Sequence, residues 1–363
     1  MKYNNFVEKM DNIFRTSIRQ MIPQIPYAAI VSGGIDSSLI AAYLVNSNKP
    51  PDLLVSVNCP GKDLISCDLS IFERCLRRKI DTLEITPEEY ANQIIECQKE
   101  FSSPVNTHSA VTMSLLAKYV KSKGIKVLFT GEGADELFGG YDCYLKDYLY
   151  HNSFHNATKE IHEIFPFCPS NYTKKVNLSV KNNNLIDTEL QHYWFQSLDK
   201  YGEMYSGEQN KQNIQNKILY QSILLSDSLL EMPSVGFRSS DLMCMMYGVE
   251  PRTPFTCKPI MEYILNAPLE FKLDFQNKIT KRILKDLYLK FYPQESIQKK
   301  QGFTGFPNES KDILNITKEN LIETSKLLSL DLKLDIKYPI KRDLEWKLIN
   351  TAIFYKFRNS KAI

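Results

Sequence analysis

The sequence predicts an α/β protein: a parallel sheet with helices on both faces, followed by a mostly helical C-terminal half. Three observations carry the prediction. As far as about residue 150, short β-prone runs alternate with helical patterns. One junction between such a run and a helix, SGGIDSS at 32–38, sets two glycines in a turn that leads straight into an apolar helix pattern. From about Lys181 the texture changes to long helical patterns broken by polar turns. The expected division is an α/β core over 1–180 and a helical part over 181–363 that closes a substrate site, with KNNN at 181–184 as a surface connection.

The elements follow in order. Phe6 to Met21 is an amphipathic pattern, ended by the break at Pro23 and Pro26. Strand candidates are Tyr27 to Val31, Leu53 to Val57, Ile80 to Ile85 and Ile125 to Thr130, each bounded by turn or cap residues. Thr86-Pro87-Glu88-Glu89 marks a helix start, with threonine as N-cap, proline at the first helical position and glutamate at the third for a capping box. A helix from about Thr107 to Lys123 ends at Gly124, a residue suited to the left-handed turn that closes a helix.

Composition narrows the classes of function. The chain's 363 residues suffice for one large or two packed domains with ample core. Lys and Arg number 45 against 42 Asp and Glu, a net charge of +3, too balanced for a protein that coats phosphates over a broad surface, so no nucleic-acid partner is expected. The N-terminal MKYNNFVEKMDNIF mixes acids and amides into its apolar residues. No window approaches the roughly 18 apolar residues of a membrane span, and a cytoplasmic chain without a membrane partner is the expectation. Eight cysteines without a C-x-x-C pair and five histidines without HExxH argue against zinc or an iron–sulfur cluster. The cysteines read as free thiols filling small apolar gaps in a reducing compartment.

A strand that runs through Ser-Gly-Gly into a helix gathers backbone N–H groups at the positive end of the helix dipole, and the glycines let a ligand approach the backbone. Such a turn suits an anion. Asp36 beside bound phosphates would repel them unless a cation such as Mg²⁺ sits between. Neither the Gly-Lys-Ser/Thr ending of a Walker A loop nor GxGxxG is present.

A second junction, GEGADELFGGY at 131–141, follows the strand candidate VLFT and carries Glu132, Asp135 and Glu136. Asp36 and Asp135, from two strand ends, match a Mg²⁺ ion that keeps the rest of its shell for waters and phosphate oxygens. Glu136 reads equally well as an acidic residue that favours a helix N-terminus. Glu250 and Arg252, within VEPRTPF, read equally as catalytic groups and as a buried ion pair holding the helical half against the loops. Pro254 and Phe255 read as packing.

SGGIDSS resembles the SGGxDS pyrophosphate loop of the ATP pyrophosphatases. Together with GEGADELFGGY it resembles the synthetase domain of the asparagine synthetases, a family that also includes β-lactam synthetase, carbapenam synthetase and lasso-peptide cyclases. VNCPGKDL at 57–64, DLMCMMYGVEPRTPF at 241–255 and KKQGF at 299–303 extend the resemblance in order over about 27–307. It implies an adenine nucleotide alpha-hydrolase-like fold, ATP and Mg²⁺ as cofactors, and an AMP- and pyrophosphate-forming amide ligase. In this scheme a carboxylate is adenylated, and ammonia or an amine then displaces AMP. It also implies that Val31, Ser32, Gly33, Gly34, Asp36, Ser37, Val57, Thr130 and Gly131 bind ATP. Asp36 and Asp135 would hold the metal, and Glu132, Lys300, Glu250 and Arg252 would be catalytic, with Lys299 as a neighbour able to substitute for Lys300. Glu132, where β-lactam synthetase carries tyrosine, implies an intermolecular amine rather than lactam closure.

Departures bear on the substrate. Glutamine-dependent members place a nucleophilic cysteine after the initiator methionine and a glutaminase domain before the synthetase, whereas this sequence begins Met1-Lys2-Tyr3 and reaches its phosphate turn at Ser32. The expected nitrogen source is free ammonia, a separate glutaminase subunit, or an amine-bearing substrate. Leu242 and Gln298 stand where arginine is usual and Cys257 where aspartate is; neither leucine nor glutamine copies an arginine fork, which leaves the small-molecule carboxylate open. Alternatives are a natural-product amide- or lactam-forming synthetase, a tRNA-modifying ATP pyrophosphatase, and an inactive nucleotide-binding scaffold. The joint presence of Asp36, Glu132, Asp135 and Lys300 argues against the last.

Overall fold

The computed structural model describes residues 2–59, 68–105, 107–141, 227–297, 305–328 and 342–359, with isolated positions between 144 and 225. Among the described residues the sheet has five parallel strands: β1 (Ala28–Ile30), β2 (Leu53–Asn58), β3 (Asp81–Glu84), β4 (Val127–Phe129) and β5 (Glu250–Arg252), in the order β3-β2-β1-β4-β5. The four expected strands are all present. Ala28 is in register with Leu53 of β2 and Leu128 of β4, and Val55 with Asp81 of β3. Every residue of β1 and β4 is buried, as a parallel strand covered on both faces requires, while β3 alternates half-buried and exposed residues at one edge. β5 was not expected: Glu250-Pro251-Arg252 has no strand propensity and becomes a strand by pairing with β4 at the other edge. An edge is the place where a sheet tolerates proline.

The chain forms two compact units, and neither is a continuous half. The sheet unit comprises Ile22–Thr130, Phe237–Arg252 and Glu295–Ile363; the helical unit comprises Met1–Met21, Gly131–Gly236 and Thr253–Gln294. The expected halves meeting near residue 180 are thus replaced by an interleaved division, because the first helix packs with segments beyond Thr253 and β5 returns to the sheet. Residues 181–184 lie outside the described residues.

In the sheet unit, β1 leads into α2 (Ile35–Val45), β2 is followed by α3 (Ser70–Leu76), and β3 by α4 (Pro87–Phe101) and α5 (His108–Ser122). The start of α4 is the expected capping box: Glu89 N–H donates to Thr86 Oγ1 at 3.2 Å and Thr86 N–H to Glu89 Oε2 at 2.9 Å. Thr107 caps α5, and Gly124 closes it with φ +77. The core of this unit is lined by Val55, Ile94, Val111, Leu116 and Leu128. The last described helix (Arg342–Asn359) adds Trp346, Ile349 and Ile353 to it. There Asn350 brackets Val105, donating from Nδ2 to its carbonyl at 2.6 Å and accepting its N–H at 3.2 Å.

In the helical unit, α1 (Tyr3–Met21), begun three residues earlier than its apolar pattern, buries Phe6, Met10, Phe14 and Ile18 along one i, i+4 stripe. Phe14 meets Phe255 edge-on at 5.5 Å and lies 6.2 Å from Phe138, so Phe255 is core, as its sequence context suggested. Among the described residues no helix is long and apolar enough to cross a membrane.

Candidate active site

Within the sheet unit the turn after β1 is built from its own residues. Val31 is buried and its N–H still pairs with Val55 O at 2.9 Å, so the chain leaves the sheet only at Ser32. Gly33 then takes φ +79, a conformation that an L side chain enters at a cost. Ser37 folds back: its Oγ accepts the Ser32 N–H at 3.0 Å and lies 2.8 Å from Ser32 Oγ, which itself accepts the Gly34 N–H at 3.4 Å. The two serine hydroxyls therefore brace the turn. Gly34 is the N-cap of α2 and supplies no side-chain cap. A helix start without a cap keeps its first N–H groups for water or a ligand. Asp36, half-buried, stands in the first turn of this helix.

The other expected nucleotide contacts of this unit sit at carboxyl ends of strands. Val57 is half-buried near the end of β2, where Asn58 Nδ2 donates to Glu84 Oε2 of β3 at 2.8 Å. Thr130 is buried just past β4, its N–H donating to Arg252 O at 2.9 Å. Arg252 Nε pairs with Glu250 Oε1 at 2.9 Å, but the glutamate side chain is 57% exposed. The pair is formed, and the expectation that it is buried is corrected: both residues lie on one face of an edge strand, which leaves Glu250 open to water. Gln298, Lys299, Lys300 and Phe303 lie outside the described residues. Where the described chain resumes, a Cβ on Gly305 would come 2.1 Å from Cε2 of Tyr90, the fully buried tyrosine whose hydroxyl donates to His108 O at 2.7 Å.

In the helical unit, Gly131 and Glu132 are half-buried and lead to Gly133, the φ +85 N-cap of α6 (Ala134–Phe138). Asp135 and Glu136 occupy its first turn. Asp135 Oδ1 lies 2.7 Å from Nζ of Lys281, a residue the sequence reading did not single out. Glu136 accepts the Tyr141 hydroxyl at 2.5 Å. Burial, and after it the adjacent Asp135 charge, pushes the Glu136 carboxyl above the usual carboxylate range, and burial pushes the Tyr141 phenol far up as well. Glu136 is thus a partly desolvated, hydrogen-bonded group, more than a surface charge at a helix start. Tyr141 was inside the quoted motif; nothing in its spacing marks it as the partner of Glu136.

Two residues at departures from the family pattern are also placed. Leu242 is half-buried on the helix Arg238–Met245 of the sheet unit. Cys257 is the N-cap of the helix Lys258–Leu265 in the helical unit and makes no side-chain cap bond. Of the described cysteines, Cys59, Cys97 and Cys244 are buried thiols outside any disulfide, whereas Cys75 is exposed and fills no gap.

A family model described as asparagine synthase matches residues 9–332. The glutamine-hydrolyzing asparagine synthetase 1 of Bacillus subtilis is 26% identical over 348 residues, covering 88% of this chain and 52% of the relative. The corresponding synthetase 2 of Oryza sativa is 30% identical over 164 residues, 40% of this chain and 25% of its own length. A probable glutamine-hydrolyzing asparagine synthetase of Schizosaccharomyces pombe is 27% identical over 151 residues, 34% of this chain and 26% of its own. The chain thus spans about half the length of the Bacillus relative and a quarter of the other two. With the family model matched over most of its length, this chain belongs to the asparagine synthase family.

Proposed function

We propose that the chain is an ATP-dependent, AMP- and pyrophosphate-forming amide ligase. The observation that carries the reading is the uncapped, glycine-shaped start of α2 at the carboxyl end of β1. From β1 the chain proceeds to β2 on one side, while β4 lies on the other, which makes the ends of β1 and β4 the topological switch point of the sheet. Ligands of open α/β sheets bind outside such a point.

In this reading the 32–37 turn takes the β and γ phosphates, with Gly33 and the first residues of α2 supplying backbone N–H groups, and Val57, Thr130 and Gly131 contact the rest of the nucleotide. In the same reading Asp36 and Asp135 hold a hard divalent cation, which takes carboxylate oxygens. Mg²⁺, when bound, neutralises charge that builds on the departing pyrophosphate. A carboxylate oxygen of the substrate attacks the α-phosphorus as the bond to the β-phosphate bridging oxygen breaks. The amine nitrogen then attacks the acyl carbon, AMP leaves, and a proton is lost from nitrogen. Glu132 serves formation of the acyl-adenylate, and Lys300 stabilises the pentacoordinate phosphorus and the later oxyanion. Glu250 orients Arg252, which faces the acyl substrate. Nitrogen comes from ammonia, delivered free or by a separate glutaminase subunit, or from an amine-bearing substrate. Half-buried Leu242, apolar where the family pattern has arginine, favours a pathway-specific carboxylate over free aspartate.

The test is pyrophosphate release with ATP, Mg²⁺ and a panel of carboxylates and amines. Release should depend on the carboxylate and fall at least about a hundredfold in Asp36→Asn and in Lys300→Ala. Isotopically labelled carboxylate oxygen should appear in AMP. Release that ignores the carboxylate, or that both variants leave intact, would overturn the reading.

A further inference from the structure

Within the helical unit, Lys281 Nζ lies 2.7 Å from Asp135 Oδ1, with 7% of the lysine side chain and 21% of the aspartate exposed. Three further features converge on this contact. Lys281 holds a left-handed backbone, φ 51, which a lysine adopts only where its surroundings enforce it. Its N–H donates to Gly139 O at 3.4 Å, tying it to the end of α6, the helix that carries Asp135. And a Cβ on Gly140 would come 2.0 Å from both Asp135 Oδ1 and Lys281 Cε, so the pair occupies the space a side chain would need. Exposed ion pairs add little to stability, and buried ones cost desolvation that an apolar pair avoids. A pair set up by a strained backbone and a glycine invites a reason other than stability.

We propose that Lys281 is the positioning residue of Asp135: its ammonium holds the carboxylate in one rotamer, presented for a divalent cation, in the way that groups behind metal ligands orient them. The inference rests on the reading above, in which Asp135 serves Mg²⁺·ATP. It concerns what aims that carboxylate, and it opposes the simplest electrostatic expectation. If Lys281 acted only as a competing cation, removing it would tighten metal binding; if it aims the carboxylate, removing it loosens binding.

Mn²⁺ with ATP is the probe, its bound fraction read by paramagnetic resonance on the full chain, with circular dichroism confirming that each variant is folded. Lys281→Met and Gly140→Ala should each weaken Mn²⁺·ATP binding about tenfold or more, and Lys281→Arg should restore most of the loss. Gly140→Ala keeps both charges while its Cβ crowds the pair and the Asp135 Cα at 2.9 Å, so it stands in for Lys281→Met if that variant does not fold, with circular dichroism required to show α6 intact. Unchanged or tighter binding in either folded variant overturns the inference. Asp135→Asn separates the two readings. If it weakens Mn²⁺·ATP binding while Lys281→Met does not, the positioning role alone falls; if it has no effect, the metal assignment of Asp135 falls and the positioning role falls with it.

Discussion

Two helix starts in the sheet unit, those of α2 and α4, both follow a parallel strand and are finished in opposite ways. At α4 the threonine and glutamate of a capping box satisfy each other's backbone N–H groups, and proline takes the position that needs no donor. At α2 the cap is Gly34, which has no side chain to bond the first turn, and the nearby hydroxyls of Ser32 and Ser37 turn toward each other. The first arrangement uses its polar groups for stability. The second forgoes a side-chain cap, and a helix start without one is worth keeping where a ligand completes it.

The sharpest way to break this comparison is to close α2. Gly34 has φ −78, and a Cβ there would meet only Ser32 Oγ at 3.4 Å, so the backbone accepts a side chain. Gly34→Asp should fold with unchanged or slightly higher stability in urea, yet lower ATP affinity about a hundredfold, because its carboxylate caps the N–H groups and repels the phosphates. Retained ATP binding, measured by calorimetry, would show that this helix start is not the phosphate site. The reverse experiment opens α4: Thr86→Ala should cost about 1 kcal/mol of stability with ATP turnover per folded molecule unchanged. The smallest effect is expected at a third helix start, where Cys257 leaves Lys258–Leu265 uncapped. Cys257→Asp should add about 0.5–1 kcal/mol, read as a higher urea midpoint.

What the sequence discloses follows from how local each feature is. The capping box of α4, the glycine end of α5 and the glycine turn at 32–34 are decided within a few residues, and each is legible there. The central strands are legible because they are buried on both faces and must be continuously apolar. β5 is not, since a glutamate, a proline and an arginine form a strand only when β4 supplies the partner. Asp135 is legible as an acidic residue at a junction, but its bond to Lys281 is not, because only the tertiary fold joins the two segments. The interleaved units are hidden for the same reason: texture along the chain records composition, not which segments return to one another.

β5 carries one more consequence. Glu250 N–H reaches back to Lys126 O at 2.8 Å, and Arg252 O accepts from Thr130 N–H at 2.9 Å, so the backbone groups of both residues point toward β4. Alternation along a strand turns the intervening residue outward, and that residue is Pro251. The outward side of β5 therefore lacks the N–H that another chain would need to zip onto it. A sheet ended by proline at that position resists growing into its neighbours, which protects the chain from edge-to-edge association while it is crowded or newly made.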